Sequence, residues 1–391
     1  MLNTKISPWP SFTQQEADAV QRVLLSNKVN YWTGQEGREF EKEFAAFADC
    51  QYAVAVANGT VALDLALHAL GVGQGDEVIV TSRTFLASVS AIVNASATPV
   101  FADVDADSQN ISAATIAPHI TSHTKAIICV HLAGWPCEMD DIMSLAAQHN
   151  IRVIEDCAQA HGARYKGRSV GSIGDIAAWS FCQDKIMTTG GEGGMVTTND
   201  ETLWQRAWSF KDHGKSYDKI YHTEHPPGFR WLHDSFGTNW RLTEMQSAIG
   251  RIQLQRMPEW KAKRQQLAKI LDEALAVYPW IRIPEIPAHI DHARYKHYVF
   301  VRPELLPNGY NRETFMAALN ECGLPAMSGS CSEVYLEKAF EGNGLRPKER
   351  LPVAKELGDT SLMFMVHPTI DVAEMYKIVD AIHVAAKKLS D

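Results

Sequence analysis

Hydrophobic residues in the first half of the chain follow two alternating spacings, one typical of buried strands and one typical of amphipathic helices. Residues 52–57 and 77–80 are short apolar runs rich in β-branched side chains and predict strands. Between them, residues 60–70 have helical spacing and end at Gly71, a residue type that commonly closes a helix. Strands that alternate with helices predict βαβ units, and therefore a mostly parallel sheet covered by helices on both faces.

The same pattern extends to about residue 210 and starts with a helix signal at Thr13. Glu16 lies three residues after Thr13, which is the spacing of a capping box. The other helices are predicted at 36–48, 86–94, 139–149 and 202–210, and the other strands at 98–101, 126–130, 151–154 and 176–181. The predicted fold class is therefore α/β with a mostly parallel central sheet.

The second half of the chain has a different organisation. Residues 211–239 form a long stretch without periodicity, which favours a functional loop or an interface arm. One long helix, with a possible kink at Pro258, is predicted over 242–267. The helices predicted at 312–322 and 372–389 and the strands at 296–301 and 360–364 make a smaller α+β domain. We expect a large domain over 1–250 and a small one over 251–391, with packing of residues 1–30 on the small domain left open.

Polar and aromatic residues follow the predicted strands at the points where those strands end. Ligands of open parallel sheets bind at this carboxyl edge. Asn58, Gly59 and Thr60 follow the first strand, Thr84 and Phe85 the second, Asp156 and Gln159 the strand at 151–154, and Ser180 and Lys185 the strand at 176–181. We therefore expect these residues to surround one ligand site.

Lys185 is the residue around which this site is expected to form. Two threonines and four glycines follow it within nine residues, and glycine lets backbone pass close to a ligand. An amine in that setting can form a Schiff base with a carbonyl compound. The simpler interpretation, a surface lysine in a glycine-rich turn, is the commoner one for an isolated lysine. The other strand ends favour the chemical interpretation.

Four chemical roles occur in chain order and together predict pyridoxal phosphate (PLP). The helix start at Gly59 and Thr60 suits a phosphate, because its free N–H groups and its dipole attract anions. Phe85 offers an aromatic plate, and Asp156 could pair with a protonated ring nitrogen, which makes the ring an electron sink. Lys185 would carry the aldehyde.

Composition restricts the remaining possibilities. The 391 residues are 46% hydrophobic and 21% charged, typical of a folded protein of more than one domain. The net charge of −9 and the absence of a Lys/Arg cluster argue against nucleic-acid binding, and no apolar run is long enough to cross a membrane. Seven scattered cysteines without a CxxC pair and without a signal peptide predict a cytoplasmic protein with free thiols.

Two further patterns carry little weight. Gly71, Gly73 and Gly75 resemble a dinucleotide loop but follow a helix and precede a strand, the reverse of the Rossmann order, so a plain turn is expected. The His222–x–x–His225 and His289–x–x–His292 spacings lie in loops without further ligands. We therefore predict no metal site.

The whole chain resembles the nucleotide-sugar aminotransferases of the DegT/StrS type, a branch of the fold type I PLP enzymes. The matching motifs are 57–63 (ANGTVAL), 84–85 (TF), 155–162 (EDCAQAHG), 180–185 (SFxxxK) with 191–194 (GEGG), and 236–246 (FGTNWRLTEMQ). The last two motifs cover the lysine and a segment that contributes to a neighbouring subunit. The resemblance implies the fold type I architecture, with residues 1–250 as the cofactor-binding domain, and PLP or its amine form (PMP) as cofactor.

The resemblance also implies a role for each matched residue. Gly59, Thr60 and Ser180 are implied to bind the phosphate, Phe85 to stack on the ring, Asp156 to pair with the ring nitrogen, Gln159 to approach the ring hydroxyl, and Lys185 to be the Schiff base and the proton shuttle. Asn239 is implied to reach the phosphate of the partner subunit, which predicts a homodimer with shared active sites. By the same likeness, glutamate is the amino donor and a nucleotide sugar the acceptor.

The expected substrate rests on a narrower likeness. Relatives often carry a His–Tyr pair where this chain reads 323–333 (GLPAMSGSCSE). Residues 328–340 and 351–357 are closer to a subgroup that acts at C4 of UDP-linked 4-keto-6-deoxy-N-acetylhexosamines, in surface polysaccharide or glycan synthesis. A dehydratase branch has histidine in place of Lys185. Two alternatives stay open at this point: a PLP-dependent dehydratase or lyase on the same scaffold, and a non-catalytic regulator.

Overall fold

The computed structural model of the protein describes residues 6–307 and 309–389. Its helices are α1 (Gln14–Leu25), α2 (Glu36–Phe47), α3 (Gly59–Leu70), α4 (Ala87–Asn94), α5 (Ala113–Ile116), α6 (Met139–His149), α7 (Glu201–Lys211), α8 (Tyr217–Tyr221), α9 (Glu244–Leu275), α10 (Arg312–Glu321), α11 (Pro352–Thr360) and α12 (Val372–Lys387). Its strands are β1 (Tyr52–Val56), β2 (Glu77–Thr81), β3 (Thr98–Ala102), β4 (Thr124–Val130), β5 (Arg152–Asp156), β6 (Arg164–Tyr165), β7 (Arg168–Ser169), β8 (Ile176–Ser180), β9 (Gly194–Thr198), β10 (Ile281–Arg282), β11 (Ile290–Asp291), β12 (His297–Val301) and β13 (Ser361–Phe364).

A seven-stranded sheet in the order β1-β9-β8-β5-β4-β2-β3 forms the centre of the molecule. The pairs from β8 to β3 are parallel, as the alternation of strands and helices predicts. Strand β9 is antiparallel to both neighbours and was not predicted. The glycine-rich stretch before β9 has the sequence of a loop. In the structure the chain reverses direction within this loop, and β9 pairs antiparallel with β8 without an intervening helix. The predicted α/β class with a mostly parallel sheet is confirmed.

Both faces of this sheet are buried, which explains the continuous apolar strands. In β2, Val78 and Val80 pack into one core with α3, whereas Ile79 packs into the core on the opposite face with α6. On that opposite side, farther along the sheet, Phe40 and Phe44 of α2 pack with Trp179 of β8. Because helices cover both faces of the sheet, a ligand can bind only at the loops that follow the strand ends.

Several predicted boundaries shift. Strand β5 includes Glu155 and Asp156, because the backbone of both residues still pairs with the neighbouring strands β4 and β8. Helix α9 runs on to Leu275 and passes through Pro258 without ending. The long stretch 211–239 contains the short helix α8 and is otherwise irregular, as predicted.

Helix α9 joins the two halves of the protein. Ala248 and Ile252 pack against α1, whereas Leu267 and Leu271 belong to the core formed with α10, α12 and the sheet β10-β12-β13. The boundary expected at 250/251 therefore lies within a continuous helix. We propose that the two units divide along α9, where the packing partner changes.

The N-terminal segment contacts the C-terminal unit. Ile6 packs on its core, and Ser7 donates hydrogen bonds to Glu374 from its backbone N–H (2.6 Å) and its hydroxyl (2.8 Å). Helix α1 instead packs on α9. Of the segment 1–30, whose packing on the small domain was left open, residues 1–5 lie outside the described residues. Within the described part of the chain, no helix combines the length and the apolar character needed to cross a membrane.

Candidate active site

Lys185 lies in the tight loop between β8 and β9. Its backbone N–H donates to the carbonyl of Cys182 (3.1 Å), and its own carbonyl accepts from the indole N–H of Trp9 (2.8 Å). The Nζ atom is 3.5 Å from Oδ1 of Asp184 and 5.4 Å from the ring centre of Tyr295. The side chain is 19% exposed, so the backbone is held from two sides while the amine remains accessible.

The glycines after Lys185 make this loop compact. A Cβ at Gly193 would lie 2.0 Å from Oγ1 of Thr189, which donates to the carbonyl of Glu192 (2.6 Å). Gly190 has a φ of +93°, in the left-handed region that favours glycine. The glycine run therefore allows the chain to return into β9 directly behind the lysine.

Asp156 is a buried carboxylate at the end of β5. Its Oδ2 accepts from the Ser88 hydroxyl (2.8 Å) and its Oδ1 from the N–H of Ala158 (3.1 Å). Burial raises the pKa of Asp156, although these hydrogen bonds and the charge of Lys185 act in the opposite direction. Among the described residues no cation forms an ion pair with this carboxylate, and a protonated pyridine nitrogen would supply one.

Ser88 and Thr84 orient the Asp156 carboxylate, a role that the sequence motifs do not predict. Because Ser88 donates to Asp156, its oxygen must accept from the hydroxyl of Thr84 (2.8 Å). Thr84 lies in the turn between β2 and α4, and Ser88 lies four residues later in the first turn of α4. That spacing after β2 is the signal by which Ser88 could have been found.

The start of α3, the end of β8 and the start of β9 form a cradle. Asn58 caps α3 by accepting from the N–H of Val61 (3.0 Å). A Cβ at Gly59 would lie 2.5 Å from Cβ of Ser180, and one at Gly194 would lie 2.4 Å from the carbonyl oxygen of Asn58. These contacts bring the first N–H groups of α3 together with the Ser180 hydroxyl, a donor set that fits a phosphate.

Replacing Gly59 with alanine tests this cradle. The added methyl group would also lie 3.1 Å from the backbone Cα of Ser180, so it cannot be accommodated by a side-chain rotation alone. We expect a stability loss of about 1–3 kcal/mol and weaker PLP binding, measured by thermal unfolding and by titration of the apo-protein with PLP. In Gly73→Ala, whose new Cβ would have its nearest neighbour 4.0 Å away, both quantities should stay at wild-type values.

Gln159 and Phe85 lie at the same edge of the sheet. Oε1 of Gln159 accepts from the N–H of Ala133 (2.8 Å), which leaves the amide Nε2 as a free donor for a ring hydroxyl. The Phe85 side chain is 72% exposed, unusual for a large apolar residue and suitable for stacking on a bound ring. The roles assigned to both residues stay predictions.

His131, Glu155 and Cys157 are close enough to suggest a metal site, but their hydrogen bonds favour a structural role. Nδ1 of His131 accepts from the N–H of Cys137 (3.0 Å), so Nε2 carries the proton and donates to Glu155 (2.9 Å). Both Glu155 oxygens also accept backbone N–H groups of residues 171, 173 and 174. The ring nitrogens of His131 and the carboxylate oxygens of Glu155 are therefore already engaged in hydrogen bonds within the protein.

Asn239 is exposed and lies in the irregular stretch after α8. Its neighbour Trp240 accepts at its carbonyl from the N–H of Ala57 (2.8 Å), so the segment runs beside the end of β1. Asn239 itself pairs with Asp212 in an isolated antiparallel bridge. Its predicted role in a partner subunit stays a prediction.

Comparison with known proteins decides the family. Residues 10–383 match the DegT/DnrJ/EryC1/StrS aminotransferase family. The chain belongs to this family. A GDP-perosamine synthase of Escherichia coli O157:H7 is 45% identical over 67% of this chain and 68% of its own length. A dTDP-3-amino-3,4,6-trideoxy-alpha-D-glucose transaminase of Streptomyces venezuelae is 34% identical over 95% of this chain and 92% of its own.

Solved structures agree with this assignment. An aminotransferase from Psychrobacter cryohalolentis is 60% identical, covers 99% of this chain and 100% of its own, and superimposes with a TM-score of 0.97. DesV of S. venezuelae, solved with a ketimine intermediate, is 33% identical over 94% and 93% of the two chains, with a TM-score of 0.84. The fold is therefore that of the fold type I aminotransferases, and the protein is a PLP-dependent nucleotide-sugar aminotransferase.

Proposed function

We propose that this protein transfers an amino group from glutamate to C4 of a UDP-linked 4-keto-6-deoxy-N-acetylhexosamine. In this proposal the product serves surface polysaccharide or glycan synthesis in the cytoplasm. The observation that carries the aminotransfer is the meeting of Lys185, the buried carboxylate of Asp156 and the Gly59–Ser180 cradle at one edge of the sheet. The choice of sugar is supported by the likeness of residues 328–340 and 351–357 to the C4 subgroup.

In the proposed mechanism, the chain holds the cofactor by its two ends. The N–H groups at the start of α3 and the Ser180 hydroxyl bind the phosphate, and Asp156 holds the proton on the ring nitrogen. Bound PLP supplies an electron sink for the carbon that carries the amino group. Lys185 first holds the cofactor and, once released, moves a proton as general base and acid. Its accessible amine and tightly held backbone suit both tasks.

We further propose that the active protein is a homodimer with shared sites. The loop that carries Asn239 also exposes Phe229, Trp231 and Phe236, with 80%, 81% and 99% of their surfaces accessible. Large apolar side chains this exposed are typical of surfaces that bind a protein partner. A second copy of the chain would cover them and bring its Asn239 to the phosphate cradle.

Mixing two inactive variants tests the shared site. Lys185→Ala and Asn239→Asp should each be nearly inactive as homodimers. After subunit exchange, half of the dimers carry both chains, and one of their two sites has an intact Lys185 facing an intact Asn239. We therefore expect the 1:1 mixture to recover about a quarter of wild-type activity. If Lys185 and Asn239 served the same subunit's site, the mixture would stay inactive.

The proposed substrate is tested by the product. We expect the enzyme, incubated with glutamate and a panel of UDP-, dTDP- and GDP-linked 4-keto-6-deoxy sugars, to aminate the UDP-linked N-acetylhexosamine most efficiently. Mass spectrometry and NMR would identify the aminated carbon, and 2-oxoglutarate should form in equal amount. Efficient amination of another panel member, or amination at another carbon, would contradict the proposed substrate.

A further inference from the structure

A small cavity lies next to the Lys185 loop. It has a volume of about 240 Å³, and its walls include Asp184, Tyr295, Arg264, Lys296 and His367. The N-terminal segment 6–9 forms another part of its wall. Trp9 in this segment donates to the carbonyl of Lys185, so the wall is fastened directly to the catalytic loop.

Arg264 is buried in this wall with much of its hydrogen-bonding capacity unused. Its Nη1 donates to the carbonyl of Tyr295 (3.2 Å), but Nε and Nη2 have no partner among the described residues. The indole of Trp9 lies 5.2 Å from the guanidinium carbon, a contact that does not neutralise the charge. Buried charges are normally paired, so this arginine indicates a missing anion.

Lys296 adds a second cation to the same cavity. Its Nζ contacts the sulfur of Met365 (3.3 Å), a weak acceptor, and in the described part of the chain it forms no ion pair. The one carboxylate in the wall, Asp184, already accepts from Tyr295 and lies beside Lys185. Two buried or half-buried cations thus share this cavity with one carboxylate, Asp184, whose charge acts on Lys185 as well as on Lys296.

The electrostatic effects agree with this geometry. Burial lowers the pKa of Arg264 to about 9 and that of Lys296 to about 8. Burial also lowers the pKa of His367 to about 4, with the charges of Arg264 and Lys296 adding to the effect. A bound anion would oppose each of these shifts.

We propose that this cavity binds a carboxylate of the dicarboxylic amino donor through Arg264 and Lys296. The inference rests on the proposed function, in which the donor delivers its amino group next to Lys185. Tyr295 places the two positions side by side, because its ring centre is 5.4 Å from Nζ of Lys185 and 4.8 Å from Nζ of Lys296. The cavity is smaller than the 300–1,000 Å³ typical of pockets for larger ligands, which favours a small anion over a sugar nucleotide.

Glutarate is a suitable probe, because it has two carboxylates but neither amino nor keto group and cannot react. We expect calorimetric titration of the holoenzyme to show glutarate binding that weakens by at least about tenfold in Arg264→Gln, since hydrogen bonds to charged groups are lost. Lys269→Gln is the matched control: it removes a cation from the same helix at a side chain that is 78% exposed, and it should bind glutarate like wild type.

Two further measurements make the test decisive. Lys296→Met should also weaken glutarate binding, and it serves alone if circular dichroism shows that Arg264→Gln is not folded. UDP binding should stay unchanged in both variants. Unchanged glutarate binding in a folded variant, or loss of UDP binding instead, would overturn the proposal. Because the glutarate titration uses no sugar nucleotide, its result does not depend on the proposed sugar substrate.

The two half-reactions separate the donor from the acceptor. In Arg264→Gln, the glutamate concentration needed for half-maximal conversion of the PLP form to the PMP form should rise at least about tenfold, followed by visible absorbance. The return reaction of the PMP form with the keto sugar should keep its wild-type concentration dependence. A change confined to the return reaction would assign the cavity to the acceptor and contradict the proposal.

Discussion

Lys185→Ala is expected to lower transamination by at least about 10²- to 10⁴-fold, the usual contribution of a positioned acid–base group, and to remove the covalent link to the cofactor as well. The backbone of the loop is held by hydrogen bonds to Cys182 and Trp9 that do not involve the lysine side chain, so the variant should fold. Formation of 2-oxoglutarate and the visible spectrum of the purified protein are the measurements.

A lysine on the surface provides the control for this variant. The side chain of Lys42 is 71% exposed and pairs with Glu39 on the surface, so Lys42→Ala should retain wild-type turnover and spectrum. Turnover of Lys185→Ala at the parental rate would show that the lysine neither holds the cofactor nor moves the proton.

Asp156→Asn is expected to have the second largest effect. Asparagine has nearly the same shape as aspartate but no charge, so it cannot hold the proton on the ring nitrogen. Breaking a buried ion pair costs about 3–5 kcal/mol, which corresponds to a decrease in kcat of about two to four orders of magnitude. Steady-state kinetics would measure it, with the exposed Asp140→Asn as the control that keeps wild-type activity.

The stability of the apo-protein distinguishes this charge effect from a disturbed fold. Burial raises the pKa of Asp156 in the folded state, so ionisation of this carboxyl destabilises the fold at neutral pH. Asp156→Asn without cofactor should therefore unfold at a higher temperature than wild type at pH 7. The difference should shrink as the pH falls through the folded-state pKa and vanish below the ordinary pKa of aspartate. A lower melting temperature at pH 7 would indicate lost packing instead.

The placement of the candidate site residues was readable from the sequence because parallel sheets bind their ligands at one edge. Once residues 52–201 are recognised as alternating strands and helices, Asp156 and Lys185 must both come to the carboxyl ends of their strands. The capping signals at Thr13, Asn58 and Gly71 have local causes and were equally readable.

What only the tertiary structure decided involves contacts between residues far apart in the chain. The Thr84–Ser88–Asp156 relay joins the segment after β2 to the end of β5, two strands that β4 separates in the sheet. The pairing of β9 with β1 depends on a chain reversal that leaves no periodicity. The cavity around Arg264 is the clearest case. Arg264 lies in a helix whose pattern gives no sign of function, and its unpaired charge appears only when α9, Tyr295 and the N-terminal segment pack together. Periodicity and capping depend on neighbours along the chain and can be read from it, whereas burial of a charge depends on distant segments and cannot.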